Sequence, residues 1–463
     1  MPIQVLRPSP SPAPEPCLQR ALADSITRSA PLDEMRILIA CGAKVNAPVT
    51  LGLRPLHYAV WQRYPEAARW LLTRGCDVNA ADDLGHTALH LCAEKGYAEM
   101  VALFLEFGAR VDFTELHRGE VDEPLRMAVK HGHLDIARML LQHGANPNAT
   151  YFLGPELSLL NPLDLEWAEL LLQFGADPNA PDRAGLSQLM RAARQPDGLP
   201  AVKLYVQYGG DVNSTAGERH DFRTVLHYAV MSGQRDTVRY LVRSGARVNY
   251  PCDYEKPTPL DLAIIKGDVD MVRLLIDLGA DVNAHSPIIG SPLHVACSEY
   301  IENRSVLLEL LLAAGADPNV VVKSEDGYFL RPVLGEYLQS NQQDLSMEVI
   351  QLLLQHGTRV VLKSQFRDPM GLLNSLPDLH ELAGLYEVLA SSADSFDPPI
   401  LRRSRALSER QREQLLLLAR APRPLLALTR DAIRRAMGRR LRHGAALLEL
   451  PRELQQFLLY QTV

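Results

Sequence analysis

Apolar residues along the chain recur in short helical bursts separated by glycines, and the stretch from Thr258 to Ala284 shows one complete unit. Thr258 stands where a helix N-cap is needed, and Pro259 suits the first helical position, where no backbone N–H is required. Leu260, Leu262, Ala263 and Ile264 make a short apolar helix that Gly267 ends. Val269, Met271, Val272, Leu274, Leu275 and Leu278 then repeat at helical spacing until Gly279. Asp281 to Ala284 turns the chain out toward a projecting hairpin. Two helices this short cannot bury their apolar faces against each other alone, so the unit predicts copies stacked on it.

The copies are present. The glycine after the second helix recurs as Gly42, Gly75, Gly108, Gly144, Gly175, Gly209, Gly245, Gly279, Gly315 and Gly357, with spacings of 33, 33, 36, 31, 34, 36, 34, 36 and 42 residues. Around it stand GAKVNA, GCDVNA, GANPNA, GADPNA, GADVNA and GADPNV, and the first helices open with RPLHYAV, TALHLCA, EPLRMAV, TVLHYAV and SPLHVAC. These phrases resemble the ankyrin-repeat family over roughly residues 18–360. The resemblance implies an all-α fold, an ankyrin-repeat solenoid of about nine to ten repeats. The first repeat, from Leu18, has a weak first helix, as a capping unit with one wet face would. The segment from Val111 to Glu123 predicts a long charged hairpin finger, and Asn213–Arg223 a second polar one. Pro155 and Pro162 leave room for only a short helix between them. Gln195–Pro200 interrupts an inter-helix turn, and Ser298–Arg304 lengthens another. The last repeat places its helices at Leu330–Leu338 and Met347–Gln355.

The four histidines of these openings, His57, His90, His227 and His294, occupy one place in the repeat. In the ankyrin family that histidine bonds loop backbone between repeats. One per repeat does not converge on a metal or a catalytic centre. The aspartates and asparagines of the GADxNA phrases read as turn formers. No phosphate loop, dinucleotide fingerprint, HExxH, GxSxG or EF-hand motif occurs, so neither catalysis nor a cofactor or metal is expected. Six cysteines without a CxxC pair read as thiols of a reducing compartment. With no apolar leader and no run of 18 apolar residues, a cytoplasmic protein is expected, with the nucleus open and no membrane partner.

Binding is the expected role. In stacked ankyrin units the first-helix ends and hairpin tips line one surface. By register, the candidate target-binding residues are Trp61, Gln62, Glu94, Lys95, Lys130, His131, Met231, Ser232, Ile265 and Lys266. Their mix of aromatic, apolar and charged side chains suits a protein ligand, with Trp61 either an anchor or packed on its own repeat.

Charge divides the chain. Leu401–Val463 carries 14 arginines and 5 acids, a net of +9, whereas the whole chain is −7. Four segments are expected: a Pro-rich disordered lead (1–17), the repeats (18–360), a helical linker region (361–415) and a terminal helical domain (416–463). In the linker region, Met370–Leu389 reads as two apolar helices, Asp394–Ile400 as a linker and Leu407–Leu418 as a leucine-rich helix. In the terminal domain, Leu425, Leu428, Ala432, Ile433 and Ala436 share one helical face among arginines, and Pro451 starts a final helix with Leu454, Phe457 and Leu458 at i, i+3, i+4. This segment resembles the SOCS box of ankyrin-repeat and SOCS-box proteins, in which SLxxLCRxxIR docks on elongin C and an LPLPxxLxxYL-like segment faces cullin-5. Pro424, Leu425, Leu428, Thr429, Arg430, Ile433 and Arg434 occupy the first pattern, with threonine in place of cysteine. Leu448, Leu450, Pro451, Leu454, Phe457 and Leu458 occupy the second, with Glu449 and Arg452 in place of its prolines. The resemblance implies a non-catalytic substrate-recognition subunit of a cullin–RING ubiquitin ligase, with elongin B, elongin C, cullin-5 with its RING protein and a target protein as partners. The arginines are interleaved with apolar positions and offer no aromatic platform, which argues against nucleic acid. The alternative is a plain ankyrin scaffold whose C-terminal helices only cap the stack.

Overall fold

The computed structural model describes residues 15–113, 122–151, 154–251, 254–324, 326–379, 382–420, 425–437, 448 and 450–459. The chain divides into two units, Met1–Ala192 with Pro200–Asp211, and Ala193–Leu199 with Val212–Val463.

The first unit is a series of helix pairs. These are α1 (Glu15–Thr27) with α2 (Leu32–Ala40), α3 (Pro55–Trp61) with α4 (Pro65–Thr73), α5 (Ala88–Lys95) with α6 (Ala98–Glu106), α7 (Pro124–Lys130) with α8 (Leu134–Gln142), α9 (Glu156–Leu159) with α10 (Leu165–Gln173), and α11 (Gln188–Ala193) with α12 (Leu199–Gln207). Ala193–Leu199, the turn of the last pair with the helix residue on either side of it, falls in the other unit. Helix α1 starts at Glu15, inside the segment read as a disordered lead, and packs on both α2 and α3. α9 is cut to four residues between Pro155 and Pro162, and a two-residue ladder, β1 (Thr150–Tyr151) with β2 (Gly154–Pro155), precedes it. Most of the predicted finger between Val111 and Glu123 lies outside the described residues.

The second unit holds α13 (Val225–Met231) with α14 (Arg235–Arg243), α15 (Pro259–Ile265) with α16 (Val269–Asp277), α17 (Pro292–Cys297) with α18 (Arg304–Ala313), and α19 (Val333–Ser340) with α20 (Met347–Gln355). The lengthened turn at 298–303 separates α17 from α18 as expected.

The punctuation works as the pattern implies. All ten repeat glycines, from Gly42 to Gly357, have positive φ, where a side chain would clash with the following carbonyl. At the other end, Thr87, Thr224 and Ser291 form capping boxes with His90, His227 and His294, each imidazole Nδ1 accepting from the N-cap backbone N–H. The far side of the ring reaches the next repeat: Nε2 of His57, His227 and His294 bonds the carbonyls of His86, Pro257 and Arg331 at 3.2, 3.2 and 2.9 Å. Burial lowers the pKa of all three, that of His227 to about 4, so they act as neutral rings.

Each asparagine of the GADxNA phrase does more than form a turn. Asn283 accepts from the Asp317 N–H (2.7 Å) and donates to the Gly315 carbonyl (3.1 Å) of the next repeat. Asn46, Asn79, Asn148, Asn179, Asn213, Asn249 and Asn319 repeat this two-point bridge.

After Gly357 the chain departs from the predicted pair of helices. Val360–Leu362 forms β3, fully buried, and pairs in parallel with β4 (Ala393–Phe396) across a bulge. The stretch GLLNSL (371–376) is not a helix, because the N–H groups of Leu372 and Leu373 bond the carbonyls of Val361 and Lys363 at 2.9 and 3.2 Å. Asp394–Ile400, expected as a linker, instead contributes most of β4 and the start of α22 (Pro398–Leu401). Short apolar runs look alike in buried strand and helix, and here a non-local partner decides between them. The other elements are α21 (Ala383–Ser392), α23 (Glu409–Arg420), α24 (Leu425–Met437) and α25 (Arg452–Leu458).

Candidate interaction surfaces

The first surface consists of the first-helix ends. In the first unit Trp61 is 46% exposed, with an edge contact to Tyr58 at 5.7 Å, and Gln62, Lys95, Lys130 and His131 are also exposed. Glu94 is half-buried. These ends touch one another: His133 bonds the Glu94 carbonyl at 3.1 Å, and Arg63 lies over the Tyr97 ring at 5.3 Å. Lys95 pairs with Glu94 (2.8 Å) and Lys130 with Asp122 (2.5 Å), contacts that are cheap to break at a wet surface. In the second unit Ile265 is 47% exposed, Lys266 is exposed and bonds the Met231 carbonyl, and Met231 and Ser232 are half-buried. Each unit thus carries its own share of the candidate residues, on consecutive repeats.

The second surface is on α24, whose two sides differ. Arg430 and Arg434 are 7% and 8% exposed. The Arg434 guanidinium donates to the carbonyls of Leu354, at the end of α20, and of Leu458, on α25, both at 2.6 Å. Arg430 donates to the Ser391 carbonyl at 3.0 Å and lies over the Phe457 ring at 4.8 Å. Those carbonyls lie in the last turns of α20, α21 and α25, where a fixed cation complements the helix end, and that of Leu354 also takes the Gly357 N–H at 3.0 Å. On the other side Leu428 is 43% exposed and Thr429 is exposed, with Ile433 half-buried. Leu417 and Leu418 of α23 are exposed as well, at 66% and 48%. Pro424 and the Leu425 side chain lie outside the described residues. In the final segment Pro451 and Leu454 are exposed, Leu448, Leu450 and Phe457 are half-buried, and Leu458 is buried. The sequence marked Arg430 and Arg434 only as members of a motif. Their carbonyl partners lie 39 residues away for Arg430 and 24 and 80 for Arg434, and no sequence signal connects them.

The described residues contain no His/Cys/Asp/Glu group able to hold a metal ion, and no helix long and apolar enough to cross a membrane.

Models of ankyrin repeats match residues 38–92, 79–151, 189–286 and 291–323, and the SOCS box model matches residues 421–459. The chain belongs to the ankyrin-repeat and SOCS-box family. The unmatched span 152–188 of this ankyrin-repeat and SOCS-box protein contains the shortened helix α9. A putative palmitoyltransferase, ZDHHC13 of Danio rerio, is 28% identical over 217 residues, 46% of this chain. The match spans about 30% of that protein's length. Among solved structures, the human ASB11 ankyrin repeat domain is 24% identical, with a TM-score of 0.38 over 50% of this chain and 98% of that one. The ankyrin repeat domain of Bcl-3, of the IkappaB family, is 25% identical, with a TM-score of 0.40 over 48% of this chain and 97% of that one.

Proposed function

We propose that this ankyrin-repeat and SOCS-box protein is the target-recognition subunit of an elongin BC–cullin-5-type RING ubiquitin ligase. The observation that carries the reading is the two-sided helix α24, inside the SOCS-box match. Its arginines seat it on α20 and α25, while Leu428 on the other side stays open. Burying a leucine side chain in a partner contributes about 1.5–3 kcal/mol, so Leu425, Leu428 and Ile433, with Pro424 and Thr429, would supply the elongin C contact. Leu448, Leu450, Pro451, Leu454 and Phe457 would form the cullin-facing segment.

The repeats would capture the target through Trp61, Gln62, Glu94, Lys95, Lys130, His131, Met231, Ile265 and Lys266. The chain itself performs no chemistry in this reading. It raises the effective concentration of target lysines near activated ubiquitin, which is catalysis by proximity.

The Arg434 contact with Leu354 also supports a second reading, in which the C-terminal helices only cap the repeats of a scaffold. Co-expression with elongins B and C separates the two. The ligase reading expects a stable ternary complex that the double substitution Leu428→Asp, Ile433→Asp abolishes while the repeats keep their helical circular dichroism. A wild-type chain that folds alone and ignores the elongins leaves the scaffold.

A further inference from the structure

Helix α15 breaks the rule that its neighbours keep. Where α3, α5, α13 and α17 place a histidine at the third helical position, α15 has Asp261. The carboxylate keeps the local half of the histidine's work: Oδ2 accepts from the Thr258 N–H at 2.9 Å and the Thr258 hydroxyl at 2.8 Å. It cannot perform the other half. His227 and His294 span to the next hairpin and bond the carbonyls of Pro257 and Arg331, but aspartate is shorter and, ionised, has no proton to donate. The residue in register with those acceptors is Gly290, whose carbonyl takes the Ser286 N–H of its own hairpin at 3.0 Å.

A cleft of about 220 Å³ lies beside Asp261. Asp261 and Asp281 line it with Tyr250, Tyr254 and His285, and neither lysine nor arginine is among its walls. The two tyrosine rings are stacked at 4.6 Å, with Tyr250 braced on His227 at 5.3 Å. Asp261 is 7% exposed. Among the described residues its Oδ1 takes no hydrogen bond, and no lysine or arginine pairs with it. Burial raises the carboxyl above its ordinary range, and the Thr258 N–H and hydroxyl offset this only in part. A nearly buried carboxylate without a countercharge is costly, and a cation from outside would relieve that cost. Tyrosine faces add the attraction of their π-electrons, which suits a planar guanidinium.

We infer that the cleft between the hairpins before and after α15 is a subsite for an arginine side chain of the captured protein, with Asp261 as its charge partner and Tyr250 and Tyr254 as its wall. The ligase reading enters only in naming the carrier of the arginine as a target. The chemistry of the cleft does not depend on elongin binding.

The test titrates the full chain with N-acetyl-arginine methylamide, and with the uncharged citrulline analogue, by ligand-detected saturation-transfer NMR. Expected is millimolar binding of the arginine probe and at least tenfold weaker binding of citrulline. Asp261→His, which restores the residue of the neighbouring repeats and fills the cleft, is expected to abolish the arginine signal. Asp261→Asn retains an acceptor for the Thr258 N–H while removing the charge and replacing Oδ1 by an NH2 donor, and is expected to weaken the arginine probe at least tenfold. No binding to wild type, equal binding of citrulline, or arginine binding unchanged in Asp261→Asn would each overturn the assignment. Elongin pull-down of the same variants should be unchanged, so failure of this subsite and failure of the ligase reading give different results.

Discussion

At the scale of the residue, the decisive groups are polar side chains that satisfy their own repeat and the next at once. His227 is the clearest case. Its folded pKa, lowered to about 4 by burial, lies below the roughly 6.5 of an unfolded histidine. The folded state therefore binds fewer protons between those values. The stability this contributes is complete above pH 6.5 and is lost as pH falls toward 4, at about 1.4 kcal/mol per unit. Thermal melts at pH 7, 5.5 and 4.5 should show this slope added to those of His57 and His294, and a His227→Gln variant should reduce it. Arg126 stands at the histidine's place in α7 and pairs with Asp122 and the buried Glu156, each at 2.9 Å, over the Tyr151 ring at 4.4 Å. Arg126→Met would leave Glu156 buried without its cation, an expected loss of about 3–5 kcal/mol in urea unfolding. Adding Glu156→Leu should recover much of it. Asn283→Ala, which removes both bridges to the next repeat, is expected to cost about 1–3 kcal/mol.

At the scale of the element, the turns state their own constraints. Gly279 has φ 90° but nothing within 4 Å of where a Cβ would stand, so Gly279→Ala carries only the strain of the left-handed region, about 1–2 kcal/mol. Gly371 is the opposite case: its φ is ordinary, yet a Cβ would meet the Lys363 carbonyl at 2.5 Å and the Ser364 backbone at 2.6 Å. Gly371→Ala should therefore destabilise the β3–β4 region by more than Gly279→Ala destabilises its repeat. Hydrogen exchange of the β3 amides against those of α16 would rank the two. The seat of α24 belongs to the same scale. Arg434→Met removes two charge-assisted bonds to carbonyls, and faster amide exchange throughout 425–437 is the expected consequence.

At the scale of the whole molecule, each repeat leans chiefly on its neighbours, so damage at one place should stay near it. The α24 double substitution Leu428→Asp, Ile433→Asp is expected to end elongin capture without lowering the melting temperature of the repeats, because Leu428 faces solvent. Loss of both together would mean that the helix acts as a cap.

Repeat number, helix positions and the glycine stops were legible because they rest on local rules: 3.6-residue periodicity, N-cap chemistry and positive φ read the same in any chain. The apolar side of α24 follows the same periodicity, through Leu425, Leu428, Ala432, Ile433 and Ala436. Tertiary structure decided what local rules leave open. GLLNSL became an edge against β3 because it folds back on the carbonyls of Val361, in that strand, and of Lys363, just after it. The turn-forming asparagines became bridges because their amides reach about thirty residues along the chain. Asp261 carries no signal of its own in the sequence, and only the hairpins folded around it make a walled cleft. The sequence determined the unit and its count, because each short helix encodes its own ends. Which polar groups meet across repeats was decided by stacking, because hydrogen bonds and charges act through distances that chain order does not record.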